Sequence, residues 1–200
     1  MKKFLIILIF YSNLLYSQSL RDSVFFQNHI FTAMYSETLQ QPLWVKYSVL
    51  CPSGNISRSG LDFHRENSIV TSDNLDYVNN IWDKGHLAPA ADFNCTKEML
   101  FETFTYVNCS LQHQDLNRGV WKQLEEAERN LAKKYKEVKV TIIVYYPTPI
   151  KRIPSGAAIP LGFYKEITYN NTTDCYYFPN ISPIKKNYMD YKCDCKNIIK

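Results

Sequence analysis

Asp83-Lys84-Gly85-His86-Leu87-Ala88-Pro89-Ala90-Ala91-Asp92-Phe93, DKGHLAPAADF, gathers an acid, a base, a glycine and an imidazole within four residues, then runs into small residues and proline. A second polar cluster follows it: Asn108, Gln112, Asn117, Trp121 and Glu125. Either cluster alone is a modest hint, because short motifs recur by chance unless order, spacing and structural context agree. Here the two come in sequence, and the second runs into the best-defined helix of the chain.

That helix is expected from near Asn117 to about Glu137, with Val120, Leu124, Ala127, Leu131 and Tyr135 at core-facing spacing. At about 100° per residue, Asn117, Trp121, Glu125 and Arg129 step around one side, each drifting about 40° from the last. Asn117 then borders the buried stripe and Arg129 approaches solvent, so the polar members can line a cleft. Downstream, Val138 to Tyr146 (VKVTIIVYY) is rich in β-branched residues and reads as a central strand. Gly162 to Thr168 is a second strand, and the tail after Pro183 has no clear periodicity. Upstream, Trp44 to Leu50 alternates as a strand and ends at the turn Cys51-Pro-Ser-Gly, while residues 58–67 form a polar loop.

A chain of 200 residues with 46% apolar and 14% aromatic content buries one sizeable core, so residues 18–200 are expected to form a single domain and disorder is excluded. Residues 1–17 read as a signal peptide: Lys2 and Lys3 precede the apolar run Phe4 to Phe10, and Ser17 closes a cleavage site. The run is too short to span a bilayer, so a secreted or periplasmic protein without a membrane anchor is expected. Loss of that segment, which holds no acid, lowers the formal charge from +4 to +2. Net charge therefore does not by itself call for a nucleic-acid partner; a local patch has to supply phosphate attraction. The six cysteines, Cys51, Cys95, Cys109, Cys175, Cys193 and Cys195, are compatible with three bridges or partly free thiols. Zinc ranks below these, because no C-x-x-C pair occurs. Sequons at Asn55, Asn94, Asn108, Asn170, Asn171 and Asn180 read as chance matches, since two fall in the candidate site region.

DKGHLAPAADF and YVNCSLQHQDLNRGVWKQLE resemble the DNA/RNA non-specific endonuclease family, the secreted bacterial nucleases related to mitochondrial endonuclease G. The first matches the family's Asp-Arg-Gly-His segment; the second matches an asparagine in a Ser/Thr-x-x-x-Asn context followed by Asn-Arg-Gly-x-Trp-x-x-Leu-Glu. IPLGFYKEI resembles the family's strand after the core strand. The likeness covers most of residues 41–180 and is concentrated in 83–129. It implies an α+β fold, with a central mainly antiparallel sheet flanked by helices and a ββα-metal catalytic core.

The resemblance also implies roles. His86 corresponds to the general base that takes a proton from the attacking water, a task that suits an imidazole; the rival for a lone histidine is a satisfied structural residue. Asn117 corresponds to the direct protein ligand of a hydrated Mg²⁺, with Mn²⁺ or another divalent ion as alternatives. A hard cation that keeps most of its waters needs few protein oxygens. Taken alone, Asn117 would be a helix N-cap. Glu125 matches the position that orients water in the ion's shell, and Arg129 an arginine that contacts phosphate; their rival is an i,i+4 surface ion pair. Asn108 matches an asparagine that supports the site or substrate, with a purely structural hydrogen bond as its rival. Arg58 and Arg65 sit where the family carries a basic, substrate-facing loop. Asp83 is expected to fix the motif loop through backbone hydrogen bonds, Gly85 to give the turn its freedom, and Trp121 to pack. Lys84 replaces the family's arginine, keeping positive charge without the bidentate fork.

The expectation is thus a secreted Mg²⁺-dependent endonuclease on DNA and RNA. Alternatives are a phosphodiesterase on smaller nucleotides and a disulfide-stabilised extracellular binding module. A homodimer and an inhibitor protein stay open.

Overall fold

The computed structural model describes residues 20–197, so the segment read as a signal peptide lies outside the described residues. The chain builds a seven-stranded antiparallel sheet and a separate two-stranded ribbon. The strands are β1 (Val24–Gln27), β2 (Phe31–Ser36), β3 (Gln41–Ser48), β4 (Trp82–His86), β5 (Cys109–His113), β6 (Val138–Tyr145), β7 (Gly162–Tyr169), β8 (Thr172–Pro179) and β9 (Lys192–Cys193). The sheet runs β1-β2-β3-β6-β7-β8-β9, and β4 pairs with β5. The helices are α1 (Lys97–Glu102), α2 (Gln114–Leu116) and α3 (Lys122–Lys134). The mixed α+β class and the largely antiparallel sheet are as expected from the sequence.

β6 lies at the middle of the sheet, paired with β3 on one side and β7 on the other, and buries one face: Val138, Val140, Ile142 and Val144 are buried while the residues between them are partly or fully open. β7 and β8 join at Asn170-Asn171, both with positive φ, the conformation that asparagine tolerates in a two-residue hairpin. α3 lays Leu124 against a core shared with Val45, Val140, Ile142, Phe163 and Phe178. The helix ends at Lys134 rather than near Glu137, and Tyr135 is already extended.

Of the two arrangements left open to the six cysteines, the one with partly free thiols is found. Cys51 joins Cys95 and Cys175 joins Cys195, but Cys109 and Cys193 remain free thiols, so two bridges form and not three. The first bridge ties the end of the β3 segment to the chain after the DKGH motif; the second ties the aperiodic tail to β8. Asn108 and Asn180 are buried and hydrogen-bonded, which removes them as glycan acceptors.

Candidate active site

The DKGH motif is a strand and not a loop. β4 pairs with β5 in the register Asp83 to Gln112, Lys84 to Leu111, Gly85 to Ser110 and His86 to Cys109. Gly85 is needed for that approach, not for a turn: a Cβ there would lie 2.5 Å from Gln112 Oε1 and 2.6 Å from Gln112 Cβ. β5 continues directly into α2, a wider turn over Asn117–Trp121, and α3, completing a ββα unit. The helical path breaks at Gly119 (φ −104°, ψ −114°). The uniform four-residue step expected from Asn117 therefore does not carry across. Trp121 turns into the core against Phe163 and Phe178, while Asn117 and Glu125 stay on the cleft.

His86, Asn117 and Glu125 line one cavity of about 930 Å³, with Lys84, Arg58 and Arg129. Its floor and walls come from residues far apart in sequence. The His86 ring is half-buried against Phe63, 4.5 Å between centroids, and edge-on to Phe104 at 4.8 Å. Its Nε2 is buried with no hydrogen-bond partner. Burial, and secondarily the nearby Arg58 charge, lower the imidazole pKa to about 3. The ring is consequently neutral at ordinary pH, with its Nε2 uncommitted to any protein partner.

Asp83 acts through its side chain and not through the backbone hydrogen bonds expected of it. Its Oδ2 accepts from Asn117 Nδ2 at 2.9 Å and from Arg118 Nε at 2.8 Å, while its Oδ1 accepts from Arg118 Nη2 at 2.6 Å. Asn117 is inside the helical segment, not its N-cap; His113 caps that segment. With Nδ2 held by Asp83, the Asn117 carbonyl oxygen is left as the hard donor facing the cleft. Among the described residues no group of three or more His, Cys, Asp or Glu side chains could hold a metal. The oxygen groups on the cavity, the Asn117 amide and the Glu125 carboxylate, are hard donors of the kind that suits a cation keeping most of its water.

Glu125 has its pKa raised to about 7, first by burial; Lys165 and Arg129 pull it down and Glu128 pushes it up. Arg129 does not approach solvent as expected. Its Nη1 donates to Oδ1 of the fully buried Asp92 at 3.0 Å. Burial pushes the Asp92 carboxyl well up, with Glu128 and Glu125 adding to it and Arg129 opposing. Lys84 is engaged, its ammonium donating to Asp62 at 2.6 Å and to Asn74.

Two expected substrate contacts are not brought to the cleft. Asn108 is 0% exposed; its Oδ1 accepts from Ala88 N, and its Nδ2 donates to the Ala88 and Thr103 carbonyls. Its amide is thereby saturated, and it braces the chain that leaves His86. Arg65 pairs with Asp73 and is absent from the cavity wall. Conversely, Arg118, quoted within the Asn-Arg-Gly motif but given no role there, and Lys122 line the cleft; their positive charge close to Asn117 in sequence is the signal that could have found them.

A sequence model of the family described as DNA/RNA non-specific endonuclease matches residues 14–200. The chain is 32% identical over 124 residues to the mitochondrial nuclease EXOG of Danio rerio, covering 60% of this chain and 36% of that one. It is 33% identical over 112 residues to the mitochondrial endonuclease G of Bos taurus (53% and 37%), and 32% over 161 residues to the mitochondrial nuclease of Saccharomyces cerevisiae (68% and 48%). It thus spans less than half the length of these relatives. The solved structure of an EndoG/EndoGI complex superimposes with a TM-score of 0.75 at 23% identity, covering 86% of this chain and 80% of that one, a likeness of fold.

Proposed function

Since the chain belongs to the DNA/RNA non-specific endonuclease family, we propose that it is a secreted, divalent-cation-dependent endonuclease that hydrolyses phosphodiester bonds of DNA and RNA to leave 5′-phosphates. The observation that carries this reading is the neutral, unpartnered His86 on the same cavity as the Asn117 amide and the Glu125 carboxylate. Residues 1–17 are taken as the leader of a single domain, and two disulfides suit an oxidising compartment.

Substrate phosphate is drawn by Arg58, Arg118, Lys122 and Arg129 around the cavity. Contacts to phosphate rather than to base edges or the 2′-hydroxyl account for indifference to sequence and sugar. His86 accepts the proton of the attacking water; an arriving phosphate raises the basicity of the ring, opposing the burial that lowers it. Asp83 holds Asn117 by its amide N–H and so presents the carbonyl oxygen. Asn117 would hold a hydrated Mg²⁺ or Mn²⁺, which when bound supplies charge neutralisation at the scissile phosphate and the departing oxygen. Glu125 orients water by accepting hydrogen bonds, and Arg129, steadied by Asp92, contacts phosphate.

Purified protein incubated with plasmid and total RNA, with Mg²⁺ or with EDTA, tests this. Degradation that needs both the cation and His86 is expected. Degradation that survives His86→Ala removes the assigned base, and none from the native protein leaves the extracellular binding module as the better reading. Consumption of short oligonucleotides alone favours a phosphodiesterase on small nucleotides.

A further inference from the structure

Behind the cleft, a lysine occupies a place where an aliphatic side chain would pack without electrostatic cost. Lys165 stands on β7 next to the central strand, and its side chain is 0% exposed. Its Nζ lies 2.6 Å from Glu128 Oε1, whose side chain is also 0% exposed, without hydrogen-bond alignment between the two atoms. The same Nζ sits 4.5 Å from the centroid of the Trp121 ring. Glu128 Oε2 accepts from the Tyr47 hydroxyl at 2.8 Å. Burying such a pair costs more in desolvation than an apolar replacement would, so it is weak evidence for stability as its purpose.

Its position suggests another purpose. Trp121, Glu125 and Glu128 belong to one helical stretch, and Lys165 touches the first and the last of these while Glu125 lies between them facing the cavity. We propose that Lys165 is a positioning residue, which anchors α3 through Trp121 and Glu128 and so fixes, with its charge behind it, the helix face that carries Glu125 into the cavity. This rests on the role given to Glu125 above. The charged and titratable groups around Glu125 are Lys165 from β7, Tyr47 from β3, Asp92 from the segment after β4, and Glu128 and Arg129 from α3 itself. Of the charges acting on Glu125, Lys165 is the largest and Glu128 opposes it.

Opposite consequences follow for the two partners of the pair. Lys165→Met removes the stabilising cation, so the Glu125 titration moves to higher pH. Glu128→Gln removes the opposing anion and leaves the cation, so the titration moves to lower pH. The double variant, Lys165→Met with Glu128→Gln, has no unpaired buried charge and recovers thermal stability, and its titration lies above that of Glu128→Gln but moves up less than that of Lys165→Met, because the opposing anion is gone as well.

Carbon-13 NMR of the Glu125 carboxyl in the metal-free protein reads these titrations, together with melting temperature and pH profiles of kcat and KM. Shifts of roughly half a pH unit or more in opposite directions are expected for the two single variants, with kcat of Lys165→Met down roughly threefold at the acid limb and KM little changed. A double variant that titrates like Glu128→Gln, or two single variants that move Glu125 the same way or not at all, would reduce Lys165 to a structural ion pair. If Lys165→Met does not fold, Glu128→Gln and the double variant still separate a positioning role from a structural one. Because the carboxyl titration needs no turnover, it distinguishes failure of this inference from failure of the nuclease reading.

Discussion

β6 and β4 are both hydrogen-bonded antiparallel strands, yet their sequences follow different rules. β6 alternates Val138, Val140, Ile142 and Val144 inward with more open residues between them, and each inward side chain is stabilised by the area it removes from water. β4 reads Trp-Asp-Lys-Gly-His, with its one fully buried residue a glycine and its polar residues all committed to specific partners or to the cleft. The sheet is held by nonspecific burial and tolerates similar volumes. The ribbon is held by individual contacts, so damage to it should appear in catalysis before it appears in stability.

The sharpest test sets one residue of each region side by side. His86→Ala is expected to lower kcat by about 10² to 10⁴, with a melting temperature close to the native value, as expected for loss of a general base. Ile142→Ala, at a fully buried position of β6, should cost about 2–5 kcal/mol of stability by chemical denaturation. The folded fraction of that variant should turn over at the native rate. Exchange of these two phenotypes would break the contrast.

Gly85→Ala lies between the extremes. Its methyl must displace Gln112 on the partner strand, costing about 1–3 kcal/mol as overpacking. Because His86 is the next residue, kcat should fall as well, which denaturant melts and single-turnover rates together would show. A variant as stable and as fast as the native protein would mean that the ribbon yields more easily than its contacts suggest.

Titration gives a smaller effect. The Glu125 pKa is raised from 4.5 to about 7, so the folded state holds this proton more tightly than the unfolded chain. The contribution to stability is present in full below pH 4.5 and is lost as the pH climbs through about 7. The melting temperature of the metal-free native protein minus that of Glu125→Gln should fall as the pH rises across that window, and a flat difference would sink the assignment. Least of all, Lys84→Arg should change kcat/KM by no more than about fivefold, the scale of a partly exposed ion pair, because the Lys84 ammonium is already engaged with Asp62. Identical kinetics on DNA and RNA would show that this position does not tune the substrate.

Much of this molecule can be read along the chain. The alternation of 138–146 and the apolar stripe through Val120, Leu124 and Leu131 locate the central strand and the main helix within a few residues, since period and burial are local properties. The two motifs likewise place His86, Asn117 and Glu125 on one site. β5 is illegible for the opposite reason: four of its five residues, Cys109 to Gln112, are buried, so no alternation marks it. β4 is hidden by polar residues kept for their contacts.

What spacing cannot provide is the partner of each charge. Asp83 meets Asn117 and Arg118 across 34 and 35 positions, and Asp92 meets Arg129 across 37. Asn108 turns inward to saturate its amide, Arg65 turns away to Asp73, and two thiols stay apart. Patterns of side-chain polarity record which face of an element meets water, and that much is written in the order of residues. Which donor meets which acceptor depends on strands and helices converging from distant parts of the chain, so it exists only once the core has closed.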